Sequence, residues 1–265
     1  MSKQLFDARR QIAQVGSLLR QGSCVNAVQS LYNGLQAMIS EPLLKSERKE
    51  FSSSIDNAVK AVAADKKIRE QFALQISYTP GNELGLMDTL RILLDSLQAL
   101  AMDEMEKLFR EREERKQAKF AKGVAELSAG NVNGAKDTFD ALATGFNTDV
   151  ALLVDIAEAF EKAGLQEESA LYLEKADKLD SDSAYIKNKL GIVYRKMQRY
   201  ADSENAFKNA IILVPDDPYV YFNSGRLYLD WKKWAQAKQA ADKAIECQPG
   251  FNEAKMLADY AAKRM

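Results

Sequence analysis

Residues 190–194 read Leu-Gly-Ile-Val-Tyr, and residues 224–228 read Ser-Gly-Arg-Leu-Tyr. The glycine and the tyrosine recur after 34 residues, and stepping back by the same interval from Gly191 reaches Ala157 and then Gly123. A small residue that returns at a fixed interval of this length is typical of repeat proteins, in which each period is one supersecondary unit. The sequence therefore predicts a repeat architecture for its second half.

Each period is predicted to hold two short helices. Apolar residues recur at helical spacing, and a break such as Gly130-Asn131 divides the period in two. Further positions keep the same phase: Ala135, Ser169, Ser203 and Ala237 are small, Phe139, Leu173 and Phe207 are large and apolar, and Pro215 matches Pro249. We expect Gly191 and Ser203 to allow a close crossing of two helices, and the prolines to end the second helix. A simple helical bundle would also have apolar residues at helical spacing, but its small, large and proline residues would not recur at an interval of 34 residues.

These landmarks resemble the tetratricopeptide repeat, a two-helix unit of this length. The resemblance is strong for residues 184–249, fair for 150–183 and weaker for 116–149. Departures include Glu126 at a position where the family has an aromatic residue, and Asn147 at a position where it has proline. The resemblance implies an all-α fold, a right-handed α-solenoid of helix-turn-helix repeats.

The periodicity suggests three parts of the chain. Residues 1–82 are predicted to be an N-terminal helical region, and its Gly22 and Ala27 are placed as in a degenerate repeat. Residues 83–115 are predicted to form a long connecting helix. Residues 116–265 are predicted to hold four repeat units and a C-terminal capping helix.

The capping helix follows from the last residues of the chain. Stacked repeats leave an apolar face at the end of the array, and this face needs a cover. Residues 252–265 carry Ala254, Leu257, Ala258 and Ala261 on one helical face. This segment is therefore predicted to close the array.

The predicted connecting helix carries a seam of leucines with alternating steps of four and three. They are Leu86, Leu90, Leu93, Leu97 and Leu100. In one interpretation these leucines pack on the N-terminal helices. In the other they form a short coiled coil, and the chain is a homodimer through the helix 83–115.

The resemblance also implies a groove, lined by the first helix of each repeat, in which an extended or helical segment of a partner protein lies. The predicted groove residues are Tyr185, Asn188, Lys189, Ile192, Arg195, Tyr219, Phe222, Asn223 and Arg226. Toward the earlier repeats the same surface continues through Phe120, Val124, Leu127, Val154, Asp155 and Glu158. Aromatic rings beside amides and cations suit a peptide ligand. The carboxylate clamp of chaperone-binding family members is not reproduced, which argues against docking on a chaperone tail.

Composition excludes several classes of function. The 265 residues include no histidine, no Gly-rich phosphate loop and no Cys or His spacing of a metal site. We therefore expect no catalytic residue, metal or cofactor, and no enzyme activity. The 37 Lys and Arg residues balance 38 Asp and Glu residues, which argues against nucleic-acid binding. No stretch approaches the roughly 20 apolar residues of a membrane span, so we expect a cytoplasmic protein without membrane insertion.

Two hypotheses for the function stay open at this point. In the first, the chain is a non-catalytic adaptor or scaffold that binds a segment of a partner protein in the groove. In the second, it is a self-assembling structural protein that makes its contacts through the N-terminal helices and the leucine seam.

Overall fold

The computed structural model describes residues 2–72 and 75–265, and in that part of the chain all regular structure is helical. The predicted all-α fold is confirmed. The chain divides into two compact units, Met1–Arg112 and Glu113–Met265. The finer division into 1–82, 83–115 and 116–265 stays a prediction.

The first unit contains four helices and the beginning of a fifth. They are α1 (Lys3–Arg20), α2 (Cys24–Ile39), α3 (Lys45–Ala64), α4 (Lys66–Gln71) and the first part of α5 (Glu83–Ser128). Leu86, Leu90, Leu93 and Leu97 of the seam are buried in the core of this unit with residues of α1, α2 and α3. These four leucines therefore pack on the N-terminal helices, as in the first interpretation of the seam, and a homodimer through the helix 83–115 stays a prediction.

The second unit contains the end of α5 and eight further helices. They are α6 (Val132–Gly145), α7 (Val150–Lys162), α8 (Gln166–Leu179), α9 (Ala184–Lys196), α10 (Tyr200–Leu213), α11 (Pro218–Asp230), α12 (Trp234–Cys247) and α13 (Asn252–Ala262). The end of α5 packs on α6, with 5.6 Å between the ring centroids of Phe120 and Phe139. Helices α7 to α12 form three successive hairpins. Helix α13 buries Leu257, Ala258 and Ala261 against the last hairpin, as predicted for a cap.

The start of each hairpin is capped at the same phase. Asp149, Ser183 and Asp217 are the N-cap residues of α7, α9 and α11, and each side chain accepts a hydrogen bond from a backbone N–H of the first turn. Such caps satisfy N–H groups that have no partner within the helix. Pro218 follows Asp217 at the start of α11, where its missing N–H costs nothing.

The turn inside each of the three hairpins, and the turn between α5 and α6, also recur with the period. Gly130, Gly164, Gln198 and Lys232 have φ of 76°, 79°, 60° and 59°. This left-handed conformation ends a helix without strain when the residue is glycine, and at a cost when it carries a Cβ atom. The glycine break predicted at Gly130 is thus one member of a series, and two of its members are not glycine.

The crossing of the two helices depends on the small residues. A Cβ atom on Gly123 would lie 2.6 Å from the ring of Phe139, and one on Gly191 would lie 2.6 Å from the ring of Phe207. Ser203 Oγ donates a hydrogen bond of 2.7 Å to the carbonyl oxygen of Gly191. The close crossing predicted at Gly191 and Ser203 is confirmed.

Candidate partner-binding groove

The first helices of the three hairpins, α7, α9 and α11, are connected side by side through their side chains. Three bonds join residues 35 positions apart: Glu161 to Lys196 (2.7 Å), Asn188 to Asn223 (3.1 Å) and Arg195 to Asp230 (2.5 Å). Because the repeat is 34 residues long, these bonds connect equivalent turns of neighbouring helices. We call the surface that these three helices form the groove.

The centre of the groove is a hydrogen-bonded cluster on α7 and α9. Glu158 accepts a hydrogen bond of 2.7 Å from the hydroxyl of Tyr185 and lies 2.8 Å from Lys189 Nζ. The hydrogen bonds from Lys189 and Tyr185 hold the pKa of Glu158 below its ordinary value. The ring of Tyr185 nevertheless stays 53% exposed, so it presents an apolar face to a ligand.

Aromatic rings and a cation lie toward the C-terminal end of the groove. Tyr219 is 58% exposed, whereas Phe222 is half-buried. Both rings pack on Phe251, with centroid distances of 5.3 Å and 5.0 Å. The guanidinium of Arg226 is exposed and lies 5.9 Å from the ring centroid of Phe222, within the range of a cation–π contact.

Two residues assigned to this surface from the sequence contribute mainly to packing. Val154 is 9% exposed and lies in the core of the second unit. Ile192 is half-buried and packs against the core around Phe207. Both side chains pack beneath the surface of the groove, so little of their area is accessible to a ligand.

The groove is flanked by two depressions. The first has a volume of about 660 Å³ and is lined by Phe120, Val124, Leu127, Asp155, Glu158 and Lys162, among others. The second has a volume of about 410 Å³ and lies around Phe222 and Arg226. Each combines apolar side chains with charged ones.

The second depression includes four residues of α13 that were not predicted from the sequence to line the groove. They are Glu253, Met256, Leu257 and Tyr260. Each follows a predicted groove residue of α11 by 34 residues, so carrying the period one step further would have found them. The cap thus also extends the surface available to a ligand.

Within residues 2–72 and 75–265, no cluster of three or more His, Cys, Asp or Glu side chains is arranged to hold a metal ion. No helix in the same residues combines the length and apolar character needed to cross a membrane.

The stacked hairpins, with one helix of each on a shared surface, define the second unit as a helical-repeat array. Residues 188–250 match the family model described as "Tetratricopeptide repeat". This match covers the part of the chain where the sequence resembles the tetratricopeptide repeat most strongly. No curated protein gives a significant match to the chain.

Several solved structures are similar to this chain. A crystal structure of MamA is 24% identical over 54% of this chain and 89% of MamA, with a TM-score of 0.44. The Arabidopsis OM64 TPR domain is 14% identical over 44% of this chain and 96% of that domain, with a TM-score of 0.42. The second TPR domain of human RPAP3, in complex with the HSP70 peptide SGPTIEEVD, is 20% identical over 43% of this chain and 98% of that domain, with a TM-score of 0.40.

Proposed function

We propose that the chain is a non-catalytic adaptor or scaffold that binds an extended or helical segment of a partner protein in the groove. The observation that carries the proposal is the pair of exposed rings, Tyr185 and Tyr219, on neighbouring first helices of the repeat array. Tyrosine gives a large contact area for a small loss of side-chain entropy and often dominates the energy of an interface.

The surroundings of the two rings support the same function. The amides of Asn188 and Asn223 lie between α9 and α11, where they can exchange their mutual bond for bonds to a peptide backbone. The flanking depressions offer room for side chains on both sides. We infer a single extended binding surface with no reaction centre.

The test selects peptides from a random-sequence display library on the full chain and measures their affinity by fluorescence anisotropy. The variant Tyr185→Ala/Tyr219→Ala should weaken binding at least about tenfold, equivalent to about 1.4 kcal/mol. Helicity should be unchanged because both rings are largely exposed. Phe222 is unsuitable for this test, since its half-buried ring packs against two core clusters of the last hairpin and its loss would disturb the fold.

Ile212→Ala is the matched control. Ile212 is 76% exposed but lies on α10, a second helix of its hairpin. Binding that survives the loss of both tyrosines, or that falls equally in the control, would exclude the groove as the binding surface.

A second candidate function, self-assembly, is favoured by a different surface. Met102, Met105, Leu108 and Phe109 of α5 are each between 65% and 74% exposed. Their spacing of three and four residues places them on one side of the helix. Exposed apolar patches of this kind often mark protein interfaces. In this alternative the contact uses these four residues and not the buried leucine seam.

Light scattering of the full chain tests the alternative. Self-assembly requires a rise in mass with concentration, and Met105→Ser/Phe109→Ser should abolish the rise. Ile92→Ser is the control, because Ile92 is an exposed apolar residue of the same helix outside this patch. A monomer at every concentration would eliminate self-assembly and leave the adaptor function.

A further inference from the structure

The charges of the groove are largely neutralised within it. Glu158 is paired with Lys189, and Arg195 with Asp230. Among the described residues, however, Asp155 and Arg226 have neither a hydrogen-bond partner nor an ion-pair partner within the groove. Each is therefore able to pair with a charge that a ligand brings.

Asp155 is a carboxylate without a counterion at one end of the groove. It lines the first depression together with Phe120, Val124 and Leu127. Asp155 is exposed, but partial desolvation by its neighbours raises its pKa, and the nearby carboxylate of Glu158 raises the pKa further. Both effects disfavour the carboxylate form of Asp155. An ammonium or guanidinium group of a ligand would stabilise this carboxylate.

Arg226 is a cation without a counterion toward the other end. Burial lowers the pKa of Arg226, and the nearby guanidinium of Arg195 adds to this effect. Asp230 lies close enough to oppose the shift but is bonded to Arg195. A carboxylate of a ligand would bind here without displacing an ion-pair partner of Arg226, and arginine suits it because its donors form a planar fork.

Two cations lie near Asp155, and neither bonds to it. Lys116 and Lys162 both lower the pKa of Asp155, yet this pKa stays raised. Lys116 is already paired with Glu113 and Asp149, and Lys162 is exposed at the end of α7.

One further carboxylate lies beside Arg226. Glu253 lines the same depression, but no ion pair joins it to Arg226.

The separation of the two free charges sets the length of the ligand between them. Asp155 lies on α7 and Arg226 on α11, with α9 bonded between these helices. Two steps of about 8–10 Å between neighbouring helix axes give about 16–20 Å. An extended chain covers that distance with about five or six residues.

On the basis of the proposed function, we infer that the groove binds an extended peptide with a defined order of charges. A Lys or Arg side chain of the peptide pairs with Asp155, and an acidic side chain or terminal carboxylate about five residues away pairs with Arg226. An apolar side chain beside the basic residue fills the depression lined by Phe120, Val124 and Leu127.

Synthetic fluorescent peptides test this order of charges. The matched peptide carries leucine and lysine at one end and glutamate five positions after the lysine, with alanine and serine between. The exchanged peptide has lysine and glutamate interchanged and leucine unmoved, and both are made in each chain direction. Anisotropy titrations of the full chain should show at least about a tenfold preference for the matched peptide in one direction.

Exchanging the charges of the protein is the decisive variant. Asp155→Lys/Arg226→Glu should reverse the preference, so that the exchanged peptide binds more tightly. Both side chains are exposed, so circular dichroism should show an unchanged fold. The preference should also shrink as salt is added, because solvent ions screen exposed pairs.

The outcomes separate this inference from the proposed function. Equal binding of both charge orders, with binding still lost in Tyr185→Ala/Tyr219→Ala, overturns the inference and leaves the groove as a binding surface. Binding that is indifferent to the two tyrosines contradicts the proposed function itself. Failure of every peptide to bind at about 1 mM would also overturn the inference, since two ion pairs and a buried leucine should give a lower dissociation constant.

Discussion

The hydroxyl of Ser203 donates a hydrogen bond of 2.7 Å to the backbone carbonyl oxygen of Gly191, at the crossing of α9 and α10. Ser169 occupies the same position one period earlier, between α7 and α8. Its Oγ is buried and has no hydrogen-bond partner in the described part of the chain. The hydroxyl of Ser203 therefore stabilises its hairpin. The hydroxyl of Ser169 has lost its hydrogen bonds to water and has gained none in their place.

These two serines should respond in opposite ways to the same substitution. Ser203→Ala should lower the free energy of unfolding by about 1 kcal/mol, the net contribution of a typical hydrogen bond. Ser169→Ala should raise it by about 1 kcal/mol, because a buried hydroxyl without a partner is removed. Urea denaturation followed by circular dichroism measures both changes. A similar loss in the two variants would show that the hydroxyl of Ser169 is bonded after all.

The turns at Gln198 and Lys232 offer a stabilising substitution. Both residues are exposed and have positive φ, at positions where two earlier hairpins have glycine. Gln198→Gly and Lys232→Gly should each raise the free energy of unfolding by about 0.5–1 kcal/mol, since glycine adopts this conformation without a Cβ clash. Gln198→Ala is the control and should bring no such gain. Equal stability of the alanine and glycine variants at 198 would mean that the backbone there is not strained.

Much of the fold could be predicted from the sequence, because its decisive positions are local. Gly123 and Gly191 lie two periods apart, and at each of them a Cβ atom would clash with a phenylalanine ring, so this steric demand is visible in the residue type. The N-caps Asp149, Ser183 and Asp217 are also visible in the residue type, because Asp and Ser side chains accept hydrogen bonds from backbone N–H groups at the start of a helix. The left-handed turns were harder to predict, because stacking of the hairpins imposes that conformation even on residues with a Cβ atom.

The groove was predicted less completely, because exposure depends on how closely neighbouring helices approach. Helical phase placed Val154 and Ile192 on the correct helices, but packing buries one and half-buries the other. The sequence also did not distinguish the paired carboxylate of Glu158 from the free one of Asp155. That difference arises from Lys189 and Tyr185 on the next helix, whose distances only the structure provides.

Gly191 and Gly225 occupy equivalent positions but should tolerate alanine differently. A Cβ atom on Gly191 would lie 2.6 Å from the rigid ring of Phe207, whereas one on Gly225 would lie 3.2 Å from a methyl group of Leu257. Gly191→Ala should cost about 1–3 kcal/mol through overpacking. Gly225→Ala should cost at least about 1 kcal/mol less, because the better helix propensity of alanine offsets a small displacement of Leu257. Equal costs in urea denaturation would contradict this account of the crossing.

The free carboxylate of Asp155 in the groove should lower the stability of the fold in a way that depends on pH. The pKa of Asp155 is raised in the folded state, so folding favours its protonated form. The cost to stability therefore grows as the pH rises from the unfolded to the folded pKa and is complete above the folded pKa. Asp155→Asn should stabilise the chain at pH 7 by up to about 1 kcal/mol, since solvent screens this exposed group. The gain should vanish as the pH falls toward about 4.

Glu158→Gln provides the comparison of opposite sign. The pKa of Glu158 is lowered by its bonds to Lys189 and Tyr185, so the carboxylate stabilises the folded state above the unfolded pKa. The substitution Glu158→Gln should lower the free energy of unfolding at pH 7. This difference should disappear as the pH falls through the pKa that Glu158 has in the folded state. Denaturation midpoints of both variants between about pH 3 and 8 check the two signs. If Asp155→Asn instead weakens the fold at pH 7, a cation of the chain already neutralises Asp155, and a basic ligand residue has no free carboxylate to bind.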